Sequence, residues 1–177
     1  MAELASFLTA DADPPLLDEL HALCVRAFDG DFDAEDWEHG LGGRHFVTYE
    51  EGIPRAHASV VPRTLEVDGR PLQVGYVEAV ATEPGHQSRG FGTVAMEGVA
   101  RWIRSTYQMG ALATGEFGFY ERLGWERWSG LTYVRDGVTQ VRSEDADGAI
   151  MVLRFGTSAG IGLDAAISCD ARSGDDW

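Results

Sequence analysis

The sequence predicts an α+β fold in which a mixed sheet carries helices on its faces. Segments with apolar residues at helical spacing alternate with shorter segments rich in β-branched and aromatic residues. Short turn signals such as Asp68-Gly69 separate the predicted strands and indicate hairpins. The chain has 177 residues and a hydrophobic fraction of 44%, which suits one domain spanning residues 1–177 with a substantial core.

Four helices are predicted, over residues 14–28, 33–40, 90–107 and 117–123. Asp13 is the expected N-cap of the first helix, and Gly124 is the expected left-handed residue after the last one. The first helix places its apolar residues on one face, and these are Leu16, Leu20, Leu23, Cys24 and Ala27. Predicted strands cover residues 44–49, 53–66, 72–82, 108–113, 125–134, 149–155 and 163–169, whereas residues 135–148 are expected to form an exposed connection.

The charge is strongly acidic. Lys and Arg total 14 against 29 Asp and Glu, a net charge of −15, which argues against nucleic acids and anionic membranes as partners. Solubility is one explanation, but the distribution of the acids favours another. Residues 29–38 hold six acids and no base, and residues 175–177 end the chain with two aspartates, Trp177 and a terminal carboxylate. If these two segments meet, they form a pocket for a polycation, together with the indoles of Trp37 and Trp177.

Other residue classes indicate little beyond a folded protein. No apolar segment approaches the roughly 20 residues needed to span a bilayer, and the first residues lack the pattern of a signal peptide, so the cytoplasm is the expected compartment. Cys24 and Cys169 are predicted to be buried thiols, with a disulfide as the alternative. The five histidines have no metal-ligand spacing and are predicted to be surface or packing residues, with His39 beside the acidic segment as the most interesting one. No metal is predicted.

Glu78 stands alone inside the apolar run 74–81. A carboxylate in such a strand costs several kcal/mol unless it is paired or neutralised, and it is retained chiefly for proton transfer or for a strong partner. Desolvation would raise its pKa toward neutrality. Glu78 is therefore a candidate general base, and a structural ion pair with an arginine is the alternative.

The segment Gln87-Ser88-Arg89-Gly90-Phe91-Gly92-Thr93 follows that strand and precedes the longest predicted helix. Its glycines allow a tight turn and a close approach of the backbone to a ligand. The free N–H groups at the start of the helix would point back at this loop. The pattern predicts a pyrophosphate site beside the candidate base.

Two motifs carry a resemblance to a known superfamily. Gln87-x-x-Gly90-x-Gly92 resembles the pyrophosphate signature of the GNAT superfamily of N-acetyltransferases, and residues 119–125 are similar to its later helix and exit. Residues 30–32, 36–43, 75–80, 107–112 and 169–177 look like one branch of it, the aminoglycoside 2′-N-acetyltransferases. The resemblance covers the chain from about residue 28 to its end.

The resemblance implies a GNAT-like central mixed, mostly antiparallel sheet with helices on both faces and a splayed cofactor cleft. Acetyl-CoA would be held by Val80, Ala81, Thr82, Gln87, Ser88, Arg89, Gly90, Phe91 and Gly92. An aminoglycoside would be bound by Asp31, Asp36, Glu78, Ala79, Asp175 and Trp177. Tyr120 would lie near the thioester sulfur as a general acid, although a packing tyrosine is the alternative. Relatives pair through their carboxy-terminal strands, and the apolar alternation in residues 163–169 permits a homodimer.

The implied reaction is direct transfer of acetyl to the 2′-amino group of aminoglycosides, which confers resistance. Glu78 would take the amine proton through one or two waters, and a backbone N–H near Val80 would stabilise the oxyanion. Another polycationic amine, a protein amine or a non-catalytic binding module are the alternatives. Two differences from the family, in residues 113–116 and at Ala146, fall on the substrate side and bear on which aminoglycoside fits.

Overall fold

The computed structural model describes residues 2–177, which divide into two compact units. Unit 1 comprises the residues up to Val61 and Val77–Trp102, and unit 2 comprises Pro62–Tyr76 and Ile103–Trp177. Strands β3 (Ile53–Val67) and β4 (Arg70–Thr82) run through both units because the unit boundaries fall inside them.

Unit 1 combines an antiparallel ladder with helices. Strand β1 (Glu3–Leu8) pairs with β2 (Arg44–Glu50), which pairs with the first part of β3. The helices are α1 (Pro14–Ala27), α2 (Ala34–His39) and most of α3 (Phe91–Thr106). Within residues 2–177, no helix is both long and apolar enough to cross a bilayer.

Unit 2 carries the strand order β6-β9-β5-β4-β3-β10-β7-β8. Its further elements are β5 (Met109–Ala113), α4 (Phe117–Glu121), β6 (Glu126–Arg127), β7 (Thr132–Asp136), β8 (Thr139–Arg142), β9 (Ile150–Arg154) and β10 (Ile167–Asp170). Strands β4 and β5 are parallel, as are β10 and β7, whereas β2–β3, β5–β9 and β7–β8 are antiparallel. The predicted mixed, mostly antiparallel sheet is therefore confirmed.

The predicted helix ends are close to the observed ones. Asp13 occupies the N-cap of α1, but its side chain makes no capping bond, and its backbone carbonyl accepts the N–H of Leu16 instead. Asp33 caps α2 through a capping box with Asp36, each carboxylate accepting the other residue's backbone N–H. A local sequence signal is sufficient here because both partners of the bond lie within one turn.

The hairpin predicted at Asp68-Gly69 is confirmed. Both residues have left-handed backbone φ angles, 48° and 74°, which is what a two-residue type I′ turn requires. The turn joins β3 to β4, so β3 lies beside the strand that carries Glu78.

Three predictions about strands were wrong or incomplete. Residues 125–134 form two strands, β6 and β7, which pair with different neighbours. Between them Ser129 and Gly130 donate their N–H groups to the Leu163 carbonyl. Residues 135–148 are mostly exposed, as predicted, but they are more than a connection, since they include β8, which pairs with β7. Strand β1 was not predicted, and β10 begins at Ile167 rather than at residue 163.

Gly130→Ala tests how closely the segment between β6 and β7 is packed. A Cβ atom at Gly130 would lie 1.8 Å from the Ala165 carbonyl oxygen, which belongs to the backbone and cannot rotate away. We expect the free energy of unfolding to fall by about 1–3 kcal/mol or more, as for other overpacked sites. Urea unfolding measures this, with Gly160→Ala as the matched control because a Cβ there meets nothing within 4 Å. Equal unfolding midpoints for the two variants would contradict the packing.

Candidate active site

The loop between β4 and α3 presents its backbone to open space. Gly85, Ser88 and Gly90 have left-handed φ angles of 79°, 60° and 89°, and a Cβ on either glycine would meet nothing within 4 Å. The side chains of residues 87–90 are exposed. Helix α3 begins at Phe91, so its first N–H groups, which lack intrahelical acceptors, lie at the end of this loop. Such an arrangement binds anions.

The loop also carries a local surplus of positive charge. Arg89 donates from Nη2 to Glu50 Oε1 at 2.7 Å, and its guanidinium lies 5.2 Å from the ring centre of Phe91. The same carboxylate lies 3.4 Å from Arg55 Nε and 3.8 Å from His86 Nε2. Two guanidinium groups around one carboxylate favour a phosphate in this part of an otherwise acidic protein.

Hydrogen bonds anchor both ends of the loop, one end to α1 and the other to β2. At its start, Glu83 receives two hydrogen bonds from Arg26 on α1, at 2.9 and 2.6 Å, and these lower the pKa of Glu83 below its ordinary value. At its end, Thr48 Oγ1 donates to the Phe91 carbonyl at 3.1 Å. The backbone that would contact an anion is therefore held in place from both sides.

Glu78 lies on β4 directly after the buried residues Val74–Val77. Its side chain is half-buried rather than enclosed, so the desolvation penalty inferred from the apolar sequence is only partly incurred. The residue therefore keeps part of its surface in contact with solvent.

The regular strand is broken at Ala79, which follows Glu78. Its φ angle is 51°, in the left-handed region that costs a non-glycine residue about 1–3 kcal/mol. Two side chains from β3 bind the carbonyl of Glu78 and the carbonyl of Ala79 itself. Ser59 Oγ donates to the Glu78 oxygen at 3.2 Å, and His57 Nδ1 lies 2.8 Å from the Ala79 oxygen.

The strand continues beyond this break with the other residues predicted to hold the cofactor. Ala81 is buried against Leu23 and Cys24 of α1, whereas Val80 and Thr82 are half-buried. The predicted cofactor-binding residues of β4 and of the loop thus all belong to unit 1.

His57 belongs to a buried chain of hydrogen bonds. Its Nε2 lies 2.8 Å from His45 Nδ1, and His45 Nε2 lies 2.8 Å from Thr9 Oγ1. Both imidazoles are fully buried. Burial lowers the pKa of His45 from 6.5 to about 4, and burial together with His45 lowers the pKa of His57 to about 3. Both rings are therefore neutral near pH 7.

Tyr120 lies on α4 in unit 2. It is 6% exposed and makes edge contacts with the rings of Phe119 and Trp125, whose centres lie 4.9 and 6.3 Å away. Burial, followed by the charge of Glu116, raises the pKa of the Tyr120 phenol above its ordinary value. The hydroxyl therefore stays protonated. This state is compatible with a role as proton donor and equally with a packing role.

The carboxy-terminal tail is folded onto unit 2. Trp177 is buried, and its indole N–H donates to Ser143 Oγ at 2.8 Å. Arg172 donates from Nε to the Asp175 carbonyl at 2.6 Å and from Nη2 to the Trp177 carboxy-terminal oxygen at 3.3 Å. The terminal carboxylate, expected from the sequence to face a substrate cation, is therefore also in contact with a guanidinium of its own chain.

The acidic residues predicted to bind substrate differ in availability. Asp31 and Asp175 are exposed, although one oxygen of Asp175 accepts the backbone N–H of Trp177 at 3.1 Å. Asp36 is half-buried, and one of its oxygens caps α2. Asp31 and Asp36 belong to unit 1 and the tail to unit 2, and their meeting around one substrate stays a prediction.

Comparison with known proteins places these features in a family. A model of the acetyltransferase (GNAT) domain matches residues 14–128. An aminoglycoside 2′-N-acetyltransferase from Mycolicibacterium fortuitum is 39% identical over 173 residues, which cover 96% of this chain and 89% of that protein. The chain belongs to the GNAT acetyltransferases, in the branch of the aminoglycoside 2′-N-acetyltransferases.

Solved acetyltransferases share the fold. YhbS from Escherichia coli, in complex with CoA, aligns with a TM-score of 0.68 and 18% identity over 95% of this chain and 89% of that one. A GNAT acetyltransferase from Brucella melitensis, in complex with acetyl-CoA, gives a TM-score of 0.60 and 18% identity, with 93% and 95% of the two chains covered. Eis1 from Mycobacterium abscessus is a longer protein. It aligns with a TM-score of 0.62 and 18% identity, and the alignment covers 75% of this chain and 33% of Eis1.

Sequence reasoning did not single out His45, His57 or Ser59. The histidines were predicted to be surface or packing residues, and His45 and His57 are buried, but their hydrogen bond to each other was not foreseen. The signal was present, because residues 56–61 read Ala-His-Ala-Ser-Val-Val, with two polar residues in an apolar strand. The reasoning that selected Glu78 applies equally to them. The two cysteines are buried free thiols, as predicted.

No metal centre is apparent among residues 2–177, since no group of three or more His, Cys, Asp or Glu side chains is arranged to hold an ion there. Cys24 Sγ lies 3.8 Å from His57 Nδ1, an arrangement that could have activated a thiol. Burial instead raises the pKa of Cys24 to about 12, and it raises the pKa of Cys169 to about 11. Neither cysteine is a thiolate near neutral pH.

The buried histidines predict acid sensitivity. Their pKa values are lowered in the folded state, so the unfolded chain takes up protons first, near pH 6.5. Stability is fully present above that pH and is lost as the pH falls toward 4. We expect each histidine to lower the free energy of unfolding by roughly 2 kcal/mol between pH 7 and pH 5. Urea unfolding at both pH values measures this.

The control for this experiment removes one of the two titrating rings. His57→Asn is expected to lose about half of the difference between pH 7 and pH 5, whereas His39→Gln, on the half-buried His39 of α2, is expected to retain it. A difference that is the same in the wild type and in His57→Asn would contradict the assignment to this pair.

Proposed function

We propose that this protein transfers the acetyl group of acetyl-CoA to the 2′-amino group of aminoglycosides. The observation that carries the substrate class is the 39% identity, over nearly the whole chain, to a protein named for that activity. The acidic composition suits a polycationic acceptor, since positive ammonium groups would be attracted and phosphate polymers repelled. Antibiotic resistance is the corresponding biological role.

The residues of the loop fit acetyl-CoA. Backbone N–H groups at the start of α3 and the guanidinium of Arg89 suit a pyrophosphate, and the open space above Gly90 leaves room for it. Val80, Ala81 and Thr82 would contact the pantetheine arm with their backbone groups. When bound, acetyl-CoA supplies an acetyl group activated as a thioester.

Glu78 is proposed to accept the proton of the substrate ammonium, because only the neutral amine can attack a carbonyl carbon. The half-buried carboxylate is accessible enough to reach the amine directly or through water. Direct attack is favoured over transfer through the protein, since the only two thiols of the chain have raised pKa values. The Val80 N–H, next to the break at Ala79, is the proposed donor to the acetyl oxygen.

The tail is proposed to contribute to cation binding in spite of Arg172. Asp175 is exposed, and the Trp177 N–H donates to only one of its two carboxylate oxygens. Tyr120 is proposed to donate a proton to the departing thiolate, and its buried, protonated phenol is compatible with this role. A homodimer and a cytoplasmic location remain predictions from the sequence.

A panel of acceptors tests the function. We expect thiol release from acetyl-CoA with aminoglycosides that carry a 2′-amine and none above background with those that carry a 2′-hydroxyl, because the hydroxyl gives Glu78 no ammonium to deprotonate. Mass spectrometry should detect one added acetyl group. Turnover of polyamines or peptide amines instead would support another acceptor class. Turnover of neither, with acetyl-CoA bound, would indicate a binding module.

Glu78→Gln tests the proposed base. It should lower kcat/KM for a 2′-amino substrate by about 10²–10⁴, the range typical of general-base catalysis, and change the Kd of acetyl-CoA little. The exposed Glu97→Gln on α3 is the matched control and should keep wild-type kinetics. A Glu78→Gln enzyme with wild-type kcat/KM at all pH values would exclude Glu78 as the base.

A further inference from the structure

The conformation of Ala79 is determined by the two peptide planes that flank it. One plane contains the Glu78 carbonyl, and the other contains both the Ala79 carbonyl and the Val80 N–H. Ser59 binds the first carbonyl and His57 the second. Because each peptide group is planar, fixing these two oxygens fixes φ and ψ of Ala79 together with the direction of the Val80 N–H.

The two side chains act from one face of β3. His57 and Ser59 are two residues apart on this strand, so their side chains point to the same side. In a regular ladder the carbonyls of β4 would face a neighbouring backbone rather than these side chains. At the break the Glu78 and Ala79 carbonyls are bound by a hydroxyl and an imidazole of β3.

The hydrogen bonds behind His57 select its tautomer. The Ala79 oxygen is only an acceptor, so Nδ1 of a neutral His57 must carry the proton and Nε2 must accept. His45 Nδ1 is then the donor to that Nε2. His45 Nε2 accepts the Thr9 hydroxyl proton at 2.8 Å in preference to the Gly43 carbonyl, which lies 3.3 Å from the same hydroxyl. All four ring nitrogens are satisfied when both imidazoles are neutral and protonated at Nδ1.

The surroundings of the pair favour this neutral state. Phe7 stacks on His45 with ring centres 5.4 Å apart, and the ring of Trp37 lies 5.7 Å from that of His57. The nearest titratable side chain from α1 is Cys24, whose thiol also points to the Ala79 oxygen at 3.9 Å. Within residues 2–177, the hydrogen-bond partners of the two imidazoles are the Thr9 hydroxyl, the Cys24 thiol, the Ala79 carbonyl and each other. None of these groups carries a charge, so burial opposes an imidazolium.

The acidic helix α2 rests on the same group of residues. Trp37 on this helix packs, as Ala79 does, against the buried cluster of Leu23, Cys24 and Ala81, and its ring centre lies 5.7 Å from that of His57. At the end of α2, a Cβ on Gly40 would lie 2.9 Å from Ser59 Oγ and 3.5 Å from the Ala79 Cβ. The helix that carries Asp36 is therefore in close contact with the break in β4.

We propose that His57, held in its Nδ1–H tautomer by His45 and Thr9, and Ser59 are positioning residues of the acetyl-transfer site. They hold Ala79 in its left-handed conformation and thereby aim the Val80 N–H and the Glu78 side chain. The assignment of tasks to Val80 and Glu78 rests on the proposed function. The conformation and the tautomers do not, and they can be measured on the free protein.

The first test is nuclear magnetic resonance of the wild-type protein labelled with ¹⁵N and ¹³C. We expect both His45 and His57 to be protonated at Nδ1 and not at Nε2, unchanged from pH 7.5 to pH 5.5. The Cα and Cβ shifts of Ala79 should report a left-handed rather than an extended residue. An Nε2–H tautomer of His57 would overturn the proposal, because its Nδ1 could then not donate to the Ala79 carbonyl.

The second test compares three substitutions by thiol release and calorimetry. His57→Leu removes the donor and should lower kcat at least about 30-fold while changing the Kd of acetyl-CoA less than about 3-fold. His57→Asn keeps an N–H at the place of Nδ1 and should recover kcat to within about 5-fold of wild type. Ser59→Ala, the mildest change, should lower kcat about 3- to 10-fold and should fold even if His57→Leu does not.

A matched control separates positioning from loss of stability. Ser158→Ala removes a fully buried hydroxyl from unit 2 and should lower stability without lowering kcat. If His57→Leu and Ser59→Ala fold with wild-type kcat and unchanged Ala79 shifts, the proposal is wrong. If wild-type protein acetylates no aminoglycoside but the tautomers and Ala79 shifts are as expected, the proposed function fails while the structural assignment stands.

Discussion

The left-handed conformation of Ala79 is the constraint on which the rest of the site depends. A non-glycine residue in this region is strained, and strain of this kind persists only where surrounding groups determine the backbone. Here the determining groups are side chains of the neighbouring strand, the imidazole of His57 and the hydroxyl of Ser59. Relaxation of this residue to an extended conformation would rotate both flanking peptides and realign the strand beyond it.

The two groups proposed to take part in the chemistry lie directly before and directly after Ala79. Glu78 precedes it and is half-buried, which leaves a carboxylate accessible for proton transfer. Val80 follows it, and the loop that suits a pyrophosphate comes only a few residues later. The proposed base, acetyl oxygen donor and anion loop are thus consecutive features of one chain segment, and hydrogen bonds from Arg26 and Thr48 anchor the loop.

Several buried polar groups around the site have hydrogen-bond partners within the chain. The His45–His57 pair is satisfied by a hydroxyl at one end and a carbonyl at the other, with no need for charge. Polar groups of the tail also have partners. The indole N–H of Trp177 donates to Ser143, and the terminal carboxylate of Trp177 contacts Arg172. In each case a buried or terminal polar group orders the backbone around a residue assigned to binding or catalysis, because leaving it unpaired would be costly.

Most of the fold could be predicted because its signals are local. Helical periodicity placed α1, α3 and α4, the Asp68-Gly69 pair placed a hairpin, and the spacing of Gln87, Gly90 and Gly92 placed the loop. The strands β1 and β8 could not be predicted, because they are short, mostly exposed and stabilised by pairing with β2 and β7 rather than by their own pattern.

The candidate site divides in the same way. The sequence by itself determined the candidates for the chemistry, because an acid in an apolar strand and a glycine-rich loop are visible one residue at a time. Only the tertiary structure decided what holds them, since Thr9, His45, His57 and Ala79 are separated by up to 70 residues and meet through hydrogen bonds between neighbouring elements. Side-chain partners brought together from distant segments leave no periodic signal in a sequence, so their geometry becomes apparent only when the sheet is assembled.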